Sequence, residues 1–71
     1  MKLPLLSGQQ VLSTLNRLDF VERHRKGSHV KMKHPDGRTL VFPYHKEIDR
    51  YTLKVSLSQG DVNVEDFLNN I

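Results

Sequence analysis

His29 lies in the middle of the most basic stretch of this 71-residue chain, a segment that also contains His24 and His34. Histidine is the side chain that exchanges protons near neutral pH without special surroundings. Gly27 lets a backbone or ligand approach closely, and Ser28 adds a hydroxyl group beside the imidazole. No acidic residue interrupts the segment, and its cations favour phosphate binding: Arg23, Arg25, Lys26, Lys31 and Lys33. These residue types indicate acid–base chemistry on a polyanion, with His29 as the candidate catalytic residue.

A simpler interpretation stays open for each of these residues. An exposed histidine on a basic strand is also what a solvated surface looks like, and clustered lysines and arginines also form solubilising faces. The other histidines, His24, His34 and His45, are expected in turns or on the surface. Ser28 is disfavoured as a nucleophile partner of His29, because neighbours on a strand point to opposite faces.

Composition excludes several classes of site and protein. The chain has no cysteine, which excludes disulfides, thiolate zinc sites and thiol nucleophiles and favours a reducing cytoplasm. No two histidines have the i, i+4 spacing of a helical zinc site, so we expect no metal and no cofactor. No apolar run approaches the ~18 residues of a membrane span. We therefore expect one cytoplasmic domain over residues 1–71, with no membrane partner.

The amino-terminal half predicts a helix followed by an edge strand. Ser7 and Gln10 have the spacing of a capping box, and Leu6 and Val11 that of a hydrophobic staple, so a helix should begin here and end near Asp19. Residues 20–26 are mostly charged, which suits a half-solvated or edge strand.

A hairpin should follow this edge strand. Residues 28–34 alternate, with Val30 and Met32 on one face and His29, Lys31 and Lys33 on the other. Residues 34–37, His-Pro-Asp-Gly, have turn chemistry. Residues 39–42 are the expected return strand, which ends at a proline that lacks an amide donor.

The carboxy-terminal third is less determined by its pattern. Residues 51–59 alternate like a strand but also fit a helix with Asp49 as its cap and Gly60 as its stop. Residues 63–71 predict a short closing helix, capped by Asn63, with Phe67, Leu68 and Ile71 on one face.

The chain as a whole resembles the HicA family of toxin mRNA interferases. The resemblance rests on several segments at matching spacing: residues 1–4 (MKLP), 15–20 (LNRLDF), 25–30 (RKGSHV), 34–38 (HPDGR), 41–48 (VFPYHKEI), 52–54 (TLK) and 64–68 (VEDFL). The chain departs from the family pattern at Tyr51, where relatives commonly have glycine.

The resemblance implies an α+β fold like that of double-stranded-RNA-binding domains, with a helix, a three-stranded antiparallel sheet, a second helix over residues 51–59 and a short C-terminal helix. It also implies a metal-independent ribonuclease that cleaves mRNA and is neutralised by a HicB-type antitoxin. By motif position, His29 takes the catalytic role and Gly27 and Ser28 support it.

Chemistry alone leaves the role of His29 open between general base and general acid, with the second proton-transfer group unidentified. Arg25, Lys31 and Lys33 would stabilise the charged phosphorane. Two other classes remain: a non-catalytic double-stranded-RNA-binding module, and an interaction subunit whose basic face docks an acidic partner.

Overall fold

The computed structural model describes residues 3–71. Met1 and Lys2, part of the segment that resembles the toxin family, lie outside the described residues. The elements in chain order are α1 (Gly8–Arg17), β1 (Val21–Lys26), β2 (His29–Lys33), β3 (Thr39–Pro43), α2 (Arg50–Gln59) and α3 (Val64–Asn69). The α+β arrangement of a helix, three antiparallel strands, a helix and a short closing helix is confirmed.

Helix α1 begins where the sequence predicted. The Ser7 hydroxyl accepts from the Gln10 N–H, and the Gln10 side chain accepts in return from the Ser7 N–H, which completes the capping box. The helix ends at Arg17, two residues before the expected end. Asp19 takes a positive φ of 71°, and the Phe20 N–H donates back to the Leu15 carbonyl.

The three strands form one antiparallel sheet in the order β1-β2-β3. Strand β1 is exposed along its whole length and lies at the edge, as expected. In β2, Val30 and Met32 are fully buried while His29, Lys31 and Lys33 are exposed, so the predicted alternation is confirmed. The turn after β2 contains Gly37 at a φ of 98°.

The ambiguous segment is the helix α2. Asp49 caps it by accepting from the Thr52 N–H, and Gly60 follows its last residue. A strand would have placed Tyr51, Leu53, Val55 and Leu57 on one face; the helix instead buries Leu53 and Leu57 and leaves Tyr51 and Val55 exposed.

Helix α3 is capped by Asn63, as predicted, and buries Phe67 completely. The expectation that Ile71 shares this buried face is wrong. The helix ends at Asn69, and the Ile71 side chain beyond it is 51% exposed.

One apolar core joins the helices to a single face of the sheet. Its members are Leu3, Leu6, Val11, Leu15, Phe20, Val30, Met32, Leu40, Phe42, Ile48, Leu53, Leu57 and Phe67. Within residues 3–71, no helix is long and apolar enough to span a membrane.

Candidate functional site

The strand register divides the sheet residues between two faces. Residues directly opposite each other on antiparallel strands share a face. Val30 pairs with Phe42 and Met32 pairs with Leu40, and all four are buried against the helices. We call this side the inner face and the opposite side the open face.

The open face carries three residues from each strand. They are Val21, His24 and Lys26 of β1, His29, Lys31 and Lys33 of β2, and Thr39, Val41 and Pro43 of β3. None of them is a carboxylate, and three are lysines. The open face therefore presents His29 in a positively charged, solvent-exposed setting that can attract a phosphate backbone.

The position of His29 depends on a tight turn. Lys26 pairs with His29, so Gly27 and Ser28 alone connect β1 to β2. Gly27 has a φ of 59°, and a positive φ at the first central residue is typical of a type II′ hairpin turn. The strand thus begins at His29 and not at Ser28, because the two-residue turn requires Ser28.

The structure also gives a different reason for glycine at position 27. A Cβ atom built there would meet no atom within 4 Å, so close packing does not demand glycine. Glycine is needed here because of its backbone angle, since other residues rarely adopt a positive φ. On the other side of the turn, the Ser28 carbonyl accepts a hydrogen bond from the Tyr44 N–H at 2.5 Å, which ties the turn to the end of β3.

The five basic residues predicted to bind phosphate do not all lie together. Lys26, Lys31 and Lys33 share the open face with His29. Arg25 pairs with Val30 and therefore belongs to the inner side of the sheet. Arg23 lies where the register shifts between Glu22 and His24 and has no opposite residue.

Arg25 is engaged by its own neighbours. Its Nε and Nη2 atoms donate to the two carboxylate oxygens of Glu22 at 3.0 and 3.1 Å, and its guanidinium carbon lies 4.5 Å from the centroid of the Tyr44 ring. The hydrogen bond to Glu22 raises the pKa of Arg25 above its ordinary value. The guanidinium that was predicted to stabilise the phosphorane is therefore held by Glu22 and Tyr44, on the opposite side of the sheet from His29.

A second histidine, His24, also lies on the open face, although the sequence pattern predicted it only as a turn or surface residue. His24 pairs with Lys31, two residues along from the Lys26–His29 pair, so His24 and His29 are diagonal neighbours. The Cα atoms of diagonal neighbours on adjacent strands are typically about 7–8 Å apart. A signal was present in the sequence: Gly27-Ser28 as a two-residue hairpin turn fixes the register and puts both histidines on one face.

A groove opens between the open face and helix α2, which lies along the free edge of β3. Its lining consists of His29, Val41, Pro43, Tyr51, Thr52, Val55, Ser56 and Gln59, and its volume is about 310 Å³. The Gln59 side-chain oxygen accepts from the Val41 N–H at 3.1 Å and joins α2 to the strand. We call this feature the His29 groove.

The two remaining histidines lie in connections outside the open face. The His34 ring packs edge-on against Phe20, and its Nδ1 atom accepts from the Asp36 N–H at 3.2 Å. His45 is exposed between β3 and α2. Within residues 3–71, no three histidine or carboxylate side chains come together as a metal-ion site would require.

The family comparison covers most of the chain. Residues 8–61 match the family described as HicA toxin of bacterial toxin-antitoxin. The matched segment runs from the first residue of α1 to just past the end of α2, and it includes the hairpin that holds His29. No curated protein sequence gives a significant match to the chain.

Proposed function

The chain belongs to the HicA toxin family and is thus the toxin of a toxin–antitoxin system; from that premise we propose that it is a metal-independent endoribonuclease. It cleaves mRNA in the cytoplasm through His29, as one domain over residues 1–71, and a HicB-type antitoxin neutralises it. The observation that carries the proposal is the exposed imidazole of His29 among lysines, on a sheet face without carboxylates.

The reaction fits the groups available on the open face. A base removes the proton of an RNA 2′-hydroxyl, whose oxygen bonds to the adjacent phosphorus. The bond from phosphorus to the 5′-oxygen breaks, and an acid protonates that oxygen. The products are a 2′,3′-cyclic phosphate and a 5′-hydroxyl. Lys26 lies directly opposite His29. In this mechanism Lys26 and Lys31 offset the phosphorane charge.

His24 supplies the second proton-transfer group in this mechanism. One histidine can act as base or as acid in a single cleavage step, so a second proton-transfer group is needed on the opposite side of the phosphorus. His24 and His29 are diagonal neighbours on one sheet face, so their side chains can approach a bound phosphate group from two sides. Gly27 and Ser28 support the pair indirectly, since their turn sets the register that brings β1 and β2 together.

The test is cleavage of end-labelled RNA by purified protein in excess chelator. We expect His29→Ala to lower the cleavage rate by about 10²- to 10⁴-fold, the usual contribution of an acid or base, while RNA binding is retained. An essential acid and an essential base together give a bell-shaped dependence of cleavage rate on pH, and His24→Gln should remove one limb of that profile. His45→Ala is the matched control, because His45 is exposed but lies off the open face.

Each outcome separates the proposal from its competitors. Unchanged cleavage by His29→Ala would exclude the catalytic role of His29. Salt-sensitive binding of duplex RNA without any cleavage by the wild type would favour the non-catalytic RNA-binding module. Addition of a HicB-type antitoxin should suppress cleavage, and failure to do so would contradict the proposed partner.

A further inference from the structure

The His29 groove contains apolar side chains that the core does not use. Tyr51 is 74% exposed, Val55 is 41% exposed and Val41 is 37% exposed. Helix α2 packs on the core through Leu53 and Leu57 instead, and both are buried. An exposed tyrosine in the same groove as the candidate catalytic imidazole is therefore available to a ligand.

We propose that the His29 groove is a nucleobase subsite, in which a base next to the scissile phosphate stacks on the Tyr51 ring. This inference rests on the proposed ribonuclease function and adds a substrate class, RNA that is unpaired at the cleavage site. Aromatic rings bind unpaired bases by stacking, whatever their sequence. A base inside a duplex is already stacked on both faces and cannot enter the groove.

A polar group in the groove is oriented to contact the base edge. The Gln59 side-chain oxygen accepts from the Val41 N–H, so the amide nitrogen must point away from that strand. Its two hydrogens make no hydrogen bond within residues 3–71 and can donate to a base carbonyl or ring nitrogen. Stacking on Tyr51 and donation by Gln59 together suit a planar, hydrogen-bonding ligand.

The charges around the groove favour a nucleotide over apolar side chains of a protein. His29 forms part of the lining, and Lys26 and Lys31 lie beside it on the open face. A nucleotide places its phosphate and its base within a few ångströms of each other. The adjacent basic face and aromatic groove match that pairing of groups, with the phosphate at the lysines and the base at Tyr51.

Binding of a short single-stranded RNA with 2′-O-methyl groups, which cannot be cleaved, tests the subsite directly by fluorescence anisotropy. We expect Tyr51→Ala to weaken this binding by about 5- to 100-fold, the range found when a stacking aromatic is removed, whereas Tyr51→Phe should bind like the wild type. With cleavable RNA, Tyr51→Ala should raise KM more than it lowers kcat. Affinity for a perfect duplex should not change.

Two controls keep the result interpretable. Ser58→Ala changes an exposed residue of α2 that does not line the groove, and it should leave both KM and RNA affinity unchanged. The Tyr51→Ala variant should unfold at the same urea concentration as the wild type, because the ring is mostly exposed.

The possible failures are distinguishable. If the wild type cleaves RNA and Tyr51→Ala binds and cleaves equally well, the subsite is excluded and the proposed function stands. If the wild type binds single strands through Tyr51 without cleaving them, the ribonuclease proposal fails, and with it the assignment of this base to a scissile phosphate. If Tyr51→Ala weakens only antitoxin binding, the groove is a protein-docking surface and the nucleobase proposal is overturned.

Discussion

Alternate residues of strand β2 meet opposite environments. Val30 and Met32 are fully buried on the inner face, while His29, Lys31 and Lys33 are exposed on the open face. The inner residues are fixed by packing, because interiors tolerate few changes in volume. The exposed residues do not pack against the core, so packing does not explain why they are histidine and lysine. On this strand the buried residues stabilise the fold, and the exposed residues between them carry the proposed function.

The largest expected effect comes from a large-to-small change on the inner face. Phe42 is fully buried, and Phe42→Ala should cost about 3–5 kcal/mol of unfolding free energy, enough to unfold much of so small a domain. Val41→Thr, the next residue along the strand but on the open face, should cost less than about 1 kcal/mol. Urea unfolding followed by circular dichroism measures both, and similar losses would contradict the separation of the faces.

The turn that keeps the two faces distinct should give the next effect. A register slip of one residue would exchange the inner and open residues of a strand. Gly27→Ala forces a side chain into a φ of 59° and should cost about 1–2 kcal/mol, although the new Cβ atom has room.

The neighbouring turn residue provides the control for that measurement. Ser28 is exposed and does not have a positive φ, so Ser28→Ala should change the unfolding free energy by less than about 0.5 kcal/mol. An equal cost at both positions would mean that the backbone angle of Gly27 is not what the turn requires.

Local patterns in the sequence predicted most of the inner face. The Ser7–Gln10 capping box and the alternation around Val30 and Met32 depend on neighbouring residues alone, and both were confirmed. Periodicity could not distinguish a strand from a helix over residues 51–59, because the burial of Leu53 and Leu57 decides between them. That burial depends on residues distant in sequence.

The open face was harder to predict because its composition depends on strand register. Basic residues close together in sequence suggested one phosphate site, but Arg25 turns to the inner side and binds Glu22. The sequence pattern predicts His24 only as a turn or surface residue, whereas the register also makes it a diagonal neighbour of His29. Tyr51 joins the same groove only through the packing of α2 along β3.

The turn at the other end of β2 should give the smallest effect, one that depends on pH. The Asp36 carboxylate accepts from the Arg38 N–H at 3.0 Å and from the Arg38 Nε at 2.8 Å, and its Oδ1 atom lies 3.0 Å from His34 Nδ1. The backbone hydrogen bond from Arg38, and then its side chain, lower the pKa of Asp36 below the ordinary 3.8. Arg38 also donates to the Gly60 and Asp61 carbonyls and so links this turn to the end of α2.

A carboxyl group whose pKa is lower in the folded state than in the unfolded state stabilises the fold at any pH above its unfolded-state pKa. This stabilisation is lost as the pH falls through the folded-state pKa. Asp36→Asn should therefore reduce the loss of stability between about pH 5 and about pH 3, as followed by urea midpoints. Glu47→Gln serves as the control, because Glu47 is exposed, lies outside the helices and strands, and makes no side-chain hydrogen bond within residues 3–71. The effect should be small, since water screens an exposed pair. If Asp36→Asn lost stability in acid as steeply as the wild type, Arg38 would hold the turn to α2 without help from the Asp36 charge.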